Sequence, residues 1–349
     1  MFPSVRMAEP SMRATIIGAG VAGLACAVEL AERGVAVEVL ERNAMLGAGS
    51  CSWYAGGMLA PWCELENAGA LVARLGAQSI HWWRDKFPAT VCNGTLVVAH
   101  ARDGAELTHF ARRTQHWQWV HSTRIAELEP DLAERFGRAL FFASEACLDP
   151  RAALAALADK LASLGGQIRL GVSSSGSRKQ HKSAVIIDCR GLAARDVLSD
   201  LRGVKGEMLL LRTQEISLAR PVRVLHPRMP LYVVPRGGGL FMVGATMIES
   251  DAAGSVAARS VLELLSAAYA LHPAFAEAKV IEISAQVRPA FADNLPHLRW
   301  RDGVLHVNGL YRHGFLLAPA LARIAADTLL HAYCDPEVMD EGHGQRRLA

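Results

Sequence analysis

Residues 13–41 begin Arg13-Ala14-Thr15-Ile16-Ile17-Gly18-Ala19-Gly20-Val21-Ala22-Gly23 and end Val37-Glu38-Val39-Leu40-Glu41. Residues 14–17 are a short apolar run, the pattern of a buried strand. Residues 21–33 are rich in Ala and Leu at helical spacing, and Gly34 follows as a stop signal. Residues 36–40 form a second apolar run. Strand, glycine turn, helix and strand make a βαβ unit, whose parallel strands need the helix to cross between them. Within the turn, Gly18 permits the tight bend, Gly20 lets backbone approach a pyrophosphate, and Gly23 lets helix and strand pack closely. The helix N-terminus attracts phosphate charge. Glu41 closes the second strand 23 residues after Gly18, where a carboxylate can accept hydrogen bonds from a ribose. The glycine pattern alone also fits an ordinary turn; strand, helix, second strand and acidic terminus in register favour a nucleotide. Arg42 can cover an adenosine or simply face solvent.

The motif does not separate FAD from NAD, and the segment after it does more. Gly47-Ala48-Gly49-Ser50-Cys51-Ser52-Trp53-Tyr54-Ala55-Gly56-Gly57-Met58-Leu59-Ala60-Pro61 can run backbone donors along the far half of a long dinucleotide, towards an isoalloxazine ring. The apolar residues in it argue against a merely flexible loop. Further on, residues 95–99, 139–143 and 204–212 read as strands among helical stretches. Residues 231–235 and 240–247 read as a hairpin joined by Arg236-Gly237-Gly238-Gly239, the mark of an antiparallel sheet. Residues 173–182 are polar and turn-rich, a solvated loop between strands at 168–170 and 184–187. A last strand, 304–307, leads through Gly309 and Gly314 into a helix over 318–332, with Pro319 in its first turn. That helix N-terminus can present N–H groups and a positive dipole end to a flavin, stabilising the anion of its reduced form. Arg312 sits among glycines and apolar residues with no acid nearby in sequence. A buried guanidinium needs an anion, and a substrate carboxylate or a distant acid would each serve.

The wider composition excludes several classes. The 349 residues are 51% hydrophobic and 20% charged, with a formal net charge of +3 and no basic block. Nucleic acid and an anionic membrane surface are therefore not expected as partners, and no run reaches the ~18 apolar residues of a membrane span. Residues 1–12 match neither a signal peptide nor a targeting helix. Seven cysteines (26, 51, 63, 92, 147, 189 and 334), scattered without CxxC pairs, fit a reducing cytoplasm and no metal site.

The chain resembles the glycine oxidases of the thiamine-thiazole pathway, within the D-amino-acid oxidase superfamily of FAD-dependent oxidoreductases. The resemblance rests on the Gly18 to Gly23 turn, Ser52 to Pro61, Tyr232-Val233-Val234-Pro235-Arg236, Gly244-Ala245-Thr246-Met247, Val287-Arg288-Pro289 and Tyr311 to Pro319. It covers about residues 13–335. It implies an α/β fold: a Rossmann-like FAD-binding domain built from non-contiguous segments, with an inserted α+β substrate domain around an antiparallel sheet. The expected division is 12–80, 140–203 and 300–335 for FAD, 81–139 and 204–299 for substrate, and flexible termini at 1–11 and 336–349. It also implies a homotetramer.

Residue by residue, the resemblance implies that Arg312 pairs with a substrate carboxylate and that Tyr232 contacts it. Arg288 and Met247 would line the same site. FAD contacts carry over to Val21, Ala22, Glu41, Arg42, Ser50, Cys51, Gly56, Gly57 and Met58, to Val172 on the adenine side, and to residues 310–316. In the last group Leu310, Tyr311, Arg312, His313, Gly314, Phe315 and Leu316 would wrap the flavin. Pro230 and His313 depart from relatives that carry His and Asn there, which bears on substrate preference. A flavin takes hydride from the α-carbon of a neutral amine, so the protein must mainly orient the substrate and no dedicated base is required. The implied reaction is oxidation of glycine, sarcosine or a small D-amino acid, with O2 as acceptor and H2O2 released. A dehydrogenase passing electrons to a carrier or quinone, and a flavin-binding protein without turnover, are the alternatives. Taken singly, Tyr232 also fits a core aromatic, Arg288 a surface ion pair and Met247 core filling.

Overall fold

The computed structural model describes residues 12–173, 184–227 and 230–340. Most of the expected 173–182 loop and the tails at 1–11 and 341–349 lie outside the described residues. The opening βαβ forms as its pattern requires. The strand Arg13–Ile17 leads into the helix Val21–Glu32, and Ala36–Leu40 returns beside the first strand in parallel, in-register pairing. Gly34 has φ 81°, the left-handed conformation that ends a helix with no Cβ penalty. At Gly23 a Cβ would overlap the Gly18 carbonyl, so only glycine lets this helix sit so close to the turn.

Seven strands build one sheet, in the order Met339–Asp340, His297–Arg301, Val304–Asn308, Ala184–Asp188, Arg13–Ile17, Ala36–Leu40 and Gln167–Arg169. All neighbours are parallel except His297–Arg301 with Val304–Asn308. The helices Val21–Glu32, Pro150–Ser163 and Gly314–His331 cover it with a continuous core that includes Ile16, Leu24, Val39, Leu157 and Leu321. This is a mostly parallel, Rossmann-like sheet, and in such sheets ligands bind beyond the carboxyl ends of the strands.

A second, nine-stranded sheet runs Ile248–Glu249, Arg202–Arg212, Leu240–Gly244, Leu231–Pro235, Val222–Leu225, Thr95–Ala99, Arg138–Phe142 and Gln118–His121, with Lys279–Ala290 also on Arg202–Arg212. It is antiparallel apart from Val222–Leu225 beside Thr95–Ala99. Leu96, Val233, Val243 and Leu264 belong to its own core. Two expected borders move. Residues 138–142 belong wholly to the nine-stranded sheet, and residues 297–301 to the seven-stranded one. Met339–Asp340, expected in a flexible tail, pairs with Leu298 and Arg299.

Two local readings are corrected. The strand expected over 240–247 ends at Gly244, opposite Tyr232, and the chain then turns away. The last helix begins at Gly314, not near Ala318, which puts Pro319 inside it. Pro319 has no N–H to give the Phe315 carbonyl four residues earlier. That carbonyl instead accepts from the indole Nε1 of the buried Trp83, at 2.7 Å. No helix among the described residues is long and apolar enough to cross a membrane.

Candidate active site

A cleft of about 1160 Å³ opens beyond the carboxyl ends of Arg13–Ile17, Ala36–Leu40 and Ala184–Asp188. Gly18, Gly20, Val21, Ala22, Glu41, Arg42, Ser50, Cys51, Val172, Leu310, Tyr311 and Gly314 line it. Gly23 lies behind it in the helix–strand contact. Ser52 Oγ accepts from the Val21 N–H at 3.1 Å, which ties the 47–61 segment to the helix start. The buried Glu41 carboxylate accepts from the N–H groups of Ala19 and Asn43, both at 2.9 Å, so its position is fixed at the mouth of the glycine turn. Asn43 Nδ2 donates to the same Oε1 as the Asn43 N–H, at 2.6 Å, so it is Oε2 that keeps a further lone pair for a ligand hydroxyl. Arg42 is exposed on the rim. A glycine turn at a helix N-terminus, a fixed carboxylate and a cleft of this size fit a dinucleotide.

The cleft continues into a smaller cavity lined by Gly56, Gly57, Met58, Glu64, Tyr232, Arg288, Arg312, His313, Phe315 and Leu316, among others. Here the two sheets' contributions meet. Tyr232 comes from the antiparallel hairpin and packs against Gly56, where an added Cβ would lie 2.9 Å from its ring. Arg288 comes from Lys279–Ala290 and lies over Gly206 of the neighbouring strand, where a Cβ would overlap the guanidinium. Its Nη1 donates to the Thr246 carbonyl at 3.2 Å, and among the described residues no acid pairs with it. Burial draws the Arg288 guanidinium below its ordinary value and the neighbouring Arg312 acts the same way, against Tyr232, Cys51 and Tyr311. An arginine remains cationic through such a shift. The cavity therefore holds a positive charge that no acid among the described residues pairs with.

Arg312 is differently placed. Its Nη2 is 3.7 Å from Oε2 of Glu64, on the first turn of the helix Pro61–Lys86. The same oxygen lies 2.9 Å from His313 Nε2, while Oε1 accepts from Arg223 at 3.1 Å. Burial works to raise the Glu64 carboxyl, but Arg312, the His313 hydrogen bond and Arg223 together hold it well below the usual carboxylate range. A distant acid beside Arg312 was one of the two readings the sequence left open, and Glu64 is that acid. His313 is buried, and its Nδ1 has no hydrogen-bond partner among the described residues.

The N-terminus of the Gly314–His331 helix opens on the same cavity, with no side chain capping it. Tyr311, just before it, holds a left-handed backbone (φ 50°), which costs a bulky residue about 1–3 kcal/mol. Met247 is not part of this lining. It is half exposed beyond the end of its strand, with Sδ 3.8 Å from Tyr311 Oη. Pro230 is exposed one residue before the Tyr232 strand. Two further acids and bases support the walls. The buried Glu145 accepts from the N–H groups of Trp62 and Cys63, at 3.0 and 2.8 Å, capping the helix that carries Glu64. Arg236 donates to the carbonyls of Ala55, Gly56 and Leu148, and so pins the 47–61 segment to the hairpin.

A dinucleotide cleft that opens at a helix N-terminus onto arginines and a tyrosine is the plan of a flavin-dependent oxidoreductase. The chain belongs to the FAD dependent oxidoreductase family, DAO, whose model matches residues 13–328, and FAD is its cofactor. It is 54% identical over 327 residues to the Rhizobium etli protein named "Putative thiamine biosynthesis oxidoreductase ThiO", covering 93% of this chain and 99% of that one. It is 29% identical over 355 residues to the glycine oxidase of Geobacillus kaustophilus, covering 89% and 91%. The crystal structure of a glycine oxidase from Geobacillus kaustophilus superposes with a TM-score of 0.78 at 24% identity, covering 96% of this chain and all of that one.

Proposed function

We propose that this enzyme oxidises glycine, with sarcosine and small D-amino acids as further substrates, and supplies the glycine imine used to build the thiazole of thiamine. The observation that carries the reading is Arg288: a half-buried guanidinium beside Arg312 and Tyr232, with no acidic partner among the described residues, calls for a small carboxylate. The similarity to the glycine oxidase and to the thiamine-pathway oxidoreductase supports glycine as that carboxylate's owner.

The parallel-sheet unit would hold FAD through Gly18, Gly20, Glu41, Ser50 and residues 310–316, and the nine-stranded sheet would carry the substrate side. Bound there, FAD supplies acceptance of a hydride from the substrate α-carbon, its electrons passing to O2 to give H2O2. Arg288 and Arg312 would bind the carboxylate through charge-assisted hydrogen bonds, and the Tyr232 hydroxyl would donate one more. Three fixed donors set the α-carbon's position, which is the main demand on a protein whose cofactor carries the chemistry. The uncapped N-terminus of Gly314–His331 lowers the cost of negative charge placed before it. The amine must arrive or become neutral, and no side chain is assigned as its base.

The test is anaerobic mixing of the yellow holoenzyme with glycine. Loss of the visible flavin absorbance, restored on admitting air, is expected. Retention of colour with glycine, sarcosine and D-alanine alike would remove the amino-acid assignment.

A further inference from the structure

The charged side chains lining the small cavity are Arg288, Arg312 and Glu64. Glu64 faces Arg312 at 3.7 Å, whereas Arg288 has no acidic partner among the described residues. Behind them and outside the lining, Arg223 spans Glu64 and Glu66, at 3.1 and 3.2 Å, and the exposed Arg113 shares Glu66 at 2.7 Å. The cavity itself thus carries one uncompensated positive charge, enough for one carboxylate.

We infer that Glu64 is the specificity-determining residue that restricts this pocket to substrates with a single carboxylate. The inference rests on the reading of the pocket as a carboxylate site. Without Glu64 the cavity would present two uncompensated guanidinium groups, a site matched to a dicarboxylate. With it, a second substrate carboxylate meets a fixed anion a few ångströms away, and like charges so placed oppose binding strongly. The anion is hard to displace, because His313 Nε2 and Arg223 hold Oε2 and Oε1 at 2.9 and 3.1 Å. Its backbone is equally fixed: Glu64 N donates to the Ala60 carbonyl at 3.1 Å in a helix start capped by Glu145. Glu64 also holds Arg312 in place, so it acts on selectivity through charge and on substrate pose through position.

Sarcosine and iminodiacetate share an N-substituted glycine and differ by one carboxylate, so the ratio of their kcat/KM values reads the effect directly. In the wild-type holoenzyme sarcosine is expected to be preferred. Glu64→Gln is expected to raise the iminodiacetate-to-sarcosine ratio at least tenfold, and Glu64→Asp to leave it near the wild-type value. An unchanged ratio in Glu64→Gln overturns the proposal; because the ratio is taken within one variant, lost FAD or lost folding cancels from it. Should Glu64→Gln not fold, calorimetric titration of the wild-type holoenzyme with acetate and malonate decides. Acetate binding at least as tightly as malonate is expected, and malonate as the tighter ligand overturns the proposal. Acetate binding without oxidation of glycine or sarcosine would count against the proposed reaction instead, and would leave the charge selection standing.

Discussion

At the scale of single residues, the two arginines of the cavity differ in what they leave behind. Arg288→Met removes a cation that pairs with no acid among the described residues, so the fold should survive. Its KM for glycine should rise roughly ten- to a hundredfold, the loss of a charged hydrogen bond worth about 1.5–3 kcal/mol. Arg312→Met should weaken glycine binding as well, but it also strips Glu64 of one of its three basic neighbours. It should therefore lower stability by roughly 1–3 kcal/mol, where Arg288→Met does not. Steady-state kinetics and urea melts of the two variants check this, and equal melts would contradict it. Tyr232, Arg288 and Arg312 were legible from short motifs once the family resemblance was seen. Glu64 was not, because its partners Arg223 and His313 lie 159 and 249 residues away in sequence. Met247 stands beyond the end of its strand at Gly244, outside the cavity lining and beside the Tyr311 hydroxyl.

At the scale of elements, the helices that frame the cavity depend on donors and acceptors from elsewhere in the chain. Trp83→Phe would leave the Phe315 carbonyl buried without a donor, at a cost of about 1–3 kcal/mol measurable by urea unfolding. The helix starts four residues before the position the sequence pattern indicates, because Pro319 fits a first turn equally well; the indole that makes an interior proline tolerable comes from a residue 232 positions away. Glu145 caps the Pro61–Lys86 helix from outside it. Burial pushes its carboxyl from the ordinary 4.5 up to about 7, against the hydrogen bond from Cys63 N–H and other nearby groups. A raised folded value means that folding takes up a proton between those two pH values. The contribution is present in full below about pH 4.5 and is lost as pH rises through about 7, by about 3 kcal/mol. Wild type minus Glu145→Gln, compared from pH 5 to 8, should show that slope. A flat difference would contradict it. The strands Ala36–Leu40, Thr95–Ala99 and Leu231–Pro235 match the sequence reading residue for residue, and Arg13–Ile17 begins one residue before it, since each is a compact apolar run between turn signals.

At the scale of the whole molecule, the cleft joins non-contiguous segments: the glycine turn, the 47–61 segment and residues 304–314. A ligand that ties them together must stabilise the native state by mass action. FAD at a hundredfold its Kd should add about 2.7 kcal/mol, seen as a higher Tm of holoenzyme over stripped protein. The opening βαβ made this architecture legible, because its period and glycines are local. The alternation of parallel and antiparallel sheets along the chain was legible only as a change of pattern, so borders near residues 139 and 300 fell inside or beside strands. The convergence of Arg288, Arg312 and Tyr232 at the end of that cleft is the centre of the functional account. Hydrogen peroxide release from the purified holoenzyme with glycine, run beside Arg288→Met, tests it most directly. Stoichiometric peroxide from the wild type and a large loss of kcat/KM in the variant are expected. Wild-type rates retained in Arg288→Met, or no peroxide from glycine, sarcosine or D-alanine, would contradict it.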